Sequence, residues 1–286
     1  MANLKEIRNR IASVSSTMQI TSAMKMVSAA KLKKAQEAIT TMRPYSEKLS
    51  ELILNLTKSL GMNFSNPFFS NRKISKVLLI AITSNRGLCG AFNSNIIKEV
   101  NKKIQIEYSN KEVLIITFGK KGDDILSKKN KIKSNNNKIF EEISYKEVSI
   151  LAEKIMEDFS NGSYDKVELI FNQFKNAATQ IIKSETLLPI ESNKSKENNS
   201  IDYIFEPSQE NIVSNLLPSS IKMHLLKALR DSFASEHGAR MTAMHKATDN
   251  ATELRDQLKL SYNKARQASI TNEILEIVGG AEALKG

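Results

Sequence analysis

The feature that most constrains this chain is a spacing near its amino terminus. Stepping alternately three and four residues from Leu4, the sequence visits Leu4, Ile7, Ile11, Val14 and Met18, then runs on through Leu32, Ile39, Leu49 and Leu56 to Leu60. Thirteen of the seventeen positions are apolar, the exceptions being Thr21, Lys25, Ser28 and Ser46. Residues three and four apart share one face of a helix, and a stripe held this long is a coiled-coil seam rather than the face of a globular helix. At about 1.5 Å per residue such a helix extends roughly 85 Å. Gly61 supplies a stop just beyond the seam. Pro44, inside the run, predicts a kink.

A second long helix is predicted over 209–284, with Pro218 kinking it near its start. Its seam reads Leu225, Leu229, Ser232, Glu236, Ala239, Ala243, Lys246 and Asn250. After a shift it continues through Leu254, Leu258, Ser261, Ala265, Ala268, Asn272 and Leu275. Between the two helices the pattern changes. KVLLIAIT (76–83), EVLIITF (112–118) and KVELIFNQF (166–174) are short apolar runs of the kind that form strands buried on both faces. Helical patterns at 91–106, 120–128 and 145–160 separate them, so a mostly parallel, helix-covered sheet is expected. ATQIIKSETLLPI (178–190) and IDYIFEP (201–207) read as edge strands, and SNKSKENNS (192–200) as a polar loop. The expected domains are therefore an N-terminal helix over 1–61, an inserted α/β domain over 67–207 and a C-terminal helix over 208–286. The terminal helices should meet as an antiparallel pair, each burying its seam on the other.

Pairing leaves the other helix faces open. QITSAMKMVSAAKLKKAQ (19–36) is mostly Ala, Ser, Lys and Met, and residues 1–40 carry seven Lys/Arg against two Glu. Together with a formal charge of +11, this predicts an acidic partner: a protein surface, an anionic membrane face or nucleic acid. A basic coiled-coil nucleic-acid-binding protein is the alternative, and it predicts steeply salt-dependent DNA binding. No stretch approaches the roughly 18–20 apolar residues of a membrane-spanning helix.

Catalytic constellations are hard to assemble from these residues. TSNRGLCGAFNSN (83–95) follows a strand and opens a helix, where α/β folds hold phosphates, but Gly87 and Gly90 complete neither a dinucleotide fingerprint nor a P-loop. A tight strand-to-helix turn fits better. Cys89, the single cysteine, has no histidine in the central domain to serve as its base. His237 and His245 stand eight residues apart on one helix, about 12 Å, too far to share a metal. The chain reads as a non-catalytic mechanical part with no cofactor.

Three stretches carry a resemblance. Residues 3–36, ITSNRGLCGAFN (82–93) and residues 235–284, including ITNEILEIVGGAEA (270–283), together resemble the gamma subunit of F-type ATP synthases. The resemblance implies an antiparallel coiled coil from both termini with an inserted Rossmann-like α/β domain, acting as a rotary central stalk. In that family the coiled coil rises through a ring of three alpha and three beta subunits. The α/β foot binds epsilon and stands on the membrane c ring, and the ATP chemistry belongs to beta. One copy per complex, peripheral to the membrane and at the cytoplasmic face of a bacterial inner membrane, is what the resemblance implies here. Carried over residue by residue, it points to Met24, Lys25 and Met26 near the acidic lever loops of beta. Arg240, Arg266, Gln267, Thr271 and Glu273 match further ring-facing positions, unless Arg240 and Glu273 merely staple the coiled coil. Gly87, Leu88, Cys89 and Gly90 are expected to shape the foot surface near epsilon. The paired-cysteine insertion of chloroplast members is absent.

Overall fold

The computed structural model describes residues 4–59, 66–69, 72–190, 206 and 209–283. Helix α1 covers Leu4–Ser59 and helix α5 covers Gln209–Ala283. Between them lie β1 (Lys76–Ile82), α2 (Phe92–Lys102), β2 (Glu112–Phe118), α3 (Lys120–Leu126), β3 (Ile132–Asn135), α4 (Tyr145–Ser160), β4 (Lys166–Phe174) and β5 (Gln180–Leu188). Both long helices remain single helices through Pro44 and Pro218. Gly61 and all of 201–207 except Glu206 lie outside the described residues, so the stop and the second edge strand are not described.

Packing divides the chain into one unit of Met1–Ser28 with Met241–Gly286 and another of Ala29–Arg240. In the second unit the sheet order is β3-β2-β1-β4-β5, parallel except for β5, which pairs antiparallel with β4. The three apolar runs become the central strands, and 178–190 supplies the edge strand β5 as expected. β3 was not anticipated, because IKSN is short, polar and only partly covered. On β1 the pleat sorts a continuous apolar run into two cores. Val77, Leu79 and Ala81 face α2 and α3, whereas Leu78, Ile80 and Ile82 face α4 and the long helices.

The second core explains the buried part of α5. Val213, Leu217, Ile221, Leu225, Leu226, Ala228 and Leu229 pack with Met42, Leu49, Ile53 and Leu56 of α1 on one side and with the sheet on the other. This stretch of α5 therefore needs apolar residues around most of its circumference, not on a single seam. Arg230 donates to the Ala38 carbonyl at 3.5 Å, linking α5 to α1 within this unit.

A π-helical turn, Lys103–Glu107, follows α2 where a plain helix was expected. Lys103 is 7% exposed and reaches Glu107 at 2.9 Å and the buried Glu168 of β4 at 3.0 Å. Burial alone would raise the Glu168 carboxyl, but Lys166, Tyr108 and Lys103 together hold it below the usual range.

In the first unit α1 and α5 are again antiparallel. The Thr21 and Thr248 hydroxyls lie 2.8 Å apart, and Met18 accepts from Thr252 at 3.3 Å and from Arg255 at 3.5 Å. The α1 seam is as predicted: Ile7, Thr21 and Ser28 are buried, and Leu4, Ile11, Val14, Met18 and Lys25 half-buried. The α5 seam is not. Lys246, Asn250, Leu254, Ser261, Ala268, Asn272 and Leu275 are exposed. Met244 and Ala251 turn inward instead, followed by the half-buried Arg255, Tyr262 and Ser269. The stripe is displaced by one residue over much of its length, because small and polar residues on several faces give no strong periodic contrast to follow.

Candidate functional site

Two regions collect the residues singled out from sequence. The first is the carboxyl end of the sheet, where the chain leaves β1 and turns into α2. Ser84 anchors this loop: its amide donates to Asn93 Oδ1 at 2.9 Å and its hydroxyl to the Arg86 carbonyl at 2.7 Å. Asn93 in turn donates to Cys89 Sγ at 3.2 Å. Cys89 is 1% exposed, and burial pushes its thiol up, which leaves it a poor nucleophile. Gly87 is half-buried and Gly90 exposed, with Gly90 at φ +61° and Leu88 at φ +64°. A left-handed leucine is strained, yet Leu88 stands 66% exposed. Of the four loop residues predicted to shape the foot surface, Leu88 is the large side chain presented there.

Arg240 belongs to this region rather than to an outer face. It is 6% exposed, donating to the carbonyls of Gly87 and of Arg86, the latter at 3.1 Å, and to Glu236 at 2.6 Å. The expected reach toward a surrounding ring would require that guanidinium to leave three partners. Burial raises the Glu236 carboxyl against the opposing pull of Arg240. Next to it His237 is 6% exposed, with both ring nitrogens unpartnered, and its ring meets Phe233 edge-on at 4.5 Å between centroids. The helical pattern gave Glu236 as a seam residue; nothing local marked Arg240 as the contact to a loop 153 residues away.

The second region is the surface of the first unit. Met26 is 65% exposed, whereas Lys25, on the seam, and Met24 beside it are half-buried. Arg266, Gln267, Thr271 and Glu273 are all exposed. Thr271 bonds back to the Gln267 carbonyl at 2.9 Å, and neither Arg266 nor Glu273 is in an ion pair among the described residues. Glu273 thus makes no staple across the coiled coil among the described residues. Residues 270–283 are exposed on every face, and Ile270, Ile274, Leu275, Ile277 and Val278 are 47–70% exposed. Sequence reasoning named the motif here but not this apolar surface. The run ILEIV itself was the available signal.

No group of His, Cys, Asp or Glu among the described residues could hold a metal, and none of the described helices is long and apolar enough to cross a membrane.

Comparison with known proteins bears on both regions at once. A family described as ATP synthase matches residues 3–284. The chain is 64% identical over 287 residues to the ATP synthase gamma chain of Flavobacterium johnsoniae, covering all of both, and 45% identical over 288 residues to that of Geobacter metallireducens, again over both full lengths. Among solved structures it is similar to a chain of the central stalk and c ring of the Tetrahymena thermophila mitochondrial ATP synthase. That match has a TM-score of 0.59 at 26% identity, covering 80% of this chain and 99% of that one. A chain of the Euglena gracilis mitochondrial ATP synthase in rotational state 3 gives a TM-score of 0.72 at 23% identity, covering 98% and 94%, a likeness of fold. With full-length identity at this level and the same two-helix and sheet architecture, the chain belongs to the ATP synthase gamma-chain family.

Proposed function

We propose that this protein is the central-stalk rotor of an F-type ATP synthase, a non-catalytic subunit present once per complex. It couples proton-driven rotation of the membrane c ring to successive conformational changes at the catalytic beta subunits. The observation that carries the reading is the uncovered end of α5. Five large apolar side chains between Ile270 and Val278 stand exposed on a helix with no cover inside its own unit. Such a surface needs an outside wall, and a ring of alpha and beta subunits supplies one. Beside it Arg266, Gln267, Thr271 and Glu273, and farther along the same unit Met26, present short or flexible contacts that a turning shaft can make and break. Arg266 suits an acidic loop, since a guanidinium holds a carboxylate bidentately. The α/β sheet forms the foot, with epsilon and the c ring as its partners, placing the chain peripherally at the cytoplasmic face of a bacterial inner membrane.

The test is an affinity pull-down of the tagged chain from native membranes at low salt. Recovery of alpha, beta and epsilon with ATPase activity supports the rotor reading. A chain that emerges alone, or with nucleic acid, overturns it. A photo-crosslinker replacing Leu88 refines the foot assignment: capture of epsilon supports the proposed epsilon surface, and capture of beta moves this loop to the ring.

A further inference from the structure

We propose that residues 235–240 of α5 form the mechanical joint through which torque passes between the α/β sheet and the long helix, with Arg240 as its central positioning residue. This rests on the rotor reading above. In a sheet of this kind, ligands bind in the crevice at the carboxyl ends of the strands, where the strand order reverses direction. Here the reversal falls between β1 and β4. The loop after β1 and the end of β4 with its following turn are the crevice walls, and α5 is seated between them in place of a ligand.

Three contacts fix the seat. The buried Ser235 hydroxyl donates to the Asn172 carbonyl at 2.9 Å. Gly238 packs so closely on the other segment of that wall that an added Cβ would lie 3.0 Å from the Ala177 carbonyl oxygen. Arg240 crosses to the opposite wall, donating to the Arg86 and Gly87 carbonyls while Glu236 neutralises it. Asn172 also donates to the Phe92 carbonyl at 3.2 Å, tying the β4 wall to the start of α2. Apolar packing elsewhere along α5 is non-directional and resists twisting weakly, whereas these hydrogen bonds are directional and lie on two sides of the helix. A planar guanidinium reaches two carbonyls and a carboxylate together, and a lysine ammonium does not reproduce that fork. The crevice thus serves as a socket, with the β1 loop held by the helix.

The experiment uses the assembled alpha-beta-gamma complex with a rotation probe on Lys128→Cys, an exposed position, Cys89 being buried. Torsional stiffness is read from angular fluctuation during a dwell, and amide exchange is followed over residues 84–92. Arg240→Ala is expected to lower stiffness at least twofold and speed exchange about tenfold. Arg240→Lys should fall between Arg240→Ala and the unsubstituted protein, and Lys246→Ala, at an exposed position, should match the latter. Stiffness and exchange unchanged in Arg240→Ala overturn the joint. So do altered dwell times at unchanged stiffness, which would place Arg240 against the ring. Should Arg240→Ala fail to assemble, Arg240→Lys decides by the same two readouts, unchanged values overturning the joint. Absence of rotation with the unsubstituted chain overturns the rotor reading, and the joint's role in torque with it.

Discussion

Asp231 and His237 sit on the buried part of α5, and their titrations oppose one another. Asp231 is 1% exposed with Oδ1 unpartnered; burial raises its carboxyl to about 6, against the pull of Arg43 and Lys227. The folded state then holds a proton that the unfolded chain has released, so this group's contribution to stability falls as pH rises from about 4 to 6. His237 is the reverse. Burial first, then Lys31 and Arg240, lower it to about 4, so its contribution is present above the unfolded value near 6.5 and is lost as pH falls toward 4. Asp231→Asn should therefore stabilise the chain by about 2 kcal/mol at pH 7, a gain that vanishes near pH 4. Thermal unfolding of the two proteins across pH 4–8 checks it, and the variant should show the unmasked histidine slope. The eight-residue spacing of His237 and His245 on one helix was legible in sequence. That His237 is a buried aromatic filler against Phe233 was not, because burial at that position depends on the tertiary fold.

At the scale of elements, α1 and α5 differ in how much of their packing could be read. The α1 stripe has large apolar residues at most inward positions, so its phase is unambiguous. Along 244–269 of α5 the inward positions mix Met244 and Leu258 with Ala, Ser, Thr, Arg and Tyr, and the outward ones include Leu254 and Leu260, 47% and 64% exposed. Hydrophobicity alone therefore does not fix the phase. The observed phase makes a sharp prediction. Ala251→Leu, at a buried contact with α1, should cost about 1–3 kcal/mol by overpacking, while Asn250→Leu should stay within about 0.5 kcal/mol. Denaturant unfolding of the two variants separates the phases. A further consequence concerns Gly238: Gly238→Val forces branched methyls toward Ala177 and should cost about 1–3 kcal/mol, read by the same method.

For the whole molecule, the fold serves two demands that pull in different directions. The unit of Ala29–Arg240 is stabilised by two cores on either side of one sheet, while the helix end at 270–283 leaves its apolar residues uncovered. The double change Ile274→Ser, Ile277→Ser should leave the chain's own unfolding within about 0.5 kcal/mol, since those side chains are exposed. In the assembled complex it should lower ATP-driven proton pumping about twofold or more, measured by fluorescence quenching in membrane vesicles.

The sequence by itself determined the long N-terminal helix and its seam, the three central strands, the order of alternating strand and helix, and the family. Each of these rests on local periodicity or on a motif that needs no distant partner. Only the tertiary structure decided the phase of α5, the short strand β3, the π-helical turn at Lys103 and the place of Arg240. Those depend on groups far apart in the chain: Glu168 for Lys103, the Arg86 and Gly87 carbonyls for Arg240, and α1 for the small residues of α5. A buried charge or a small seam residue takes its role from whichever partner the fold brings to it, and that partner is not encoded in its neighbours.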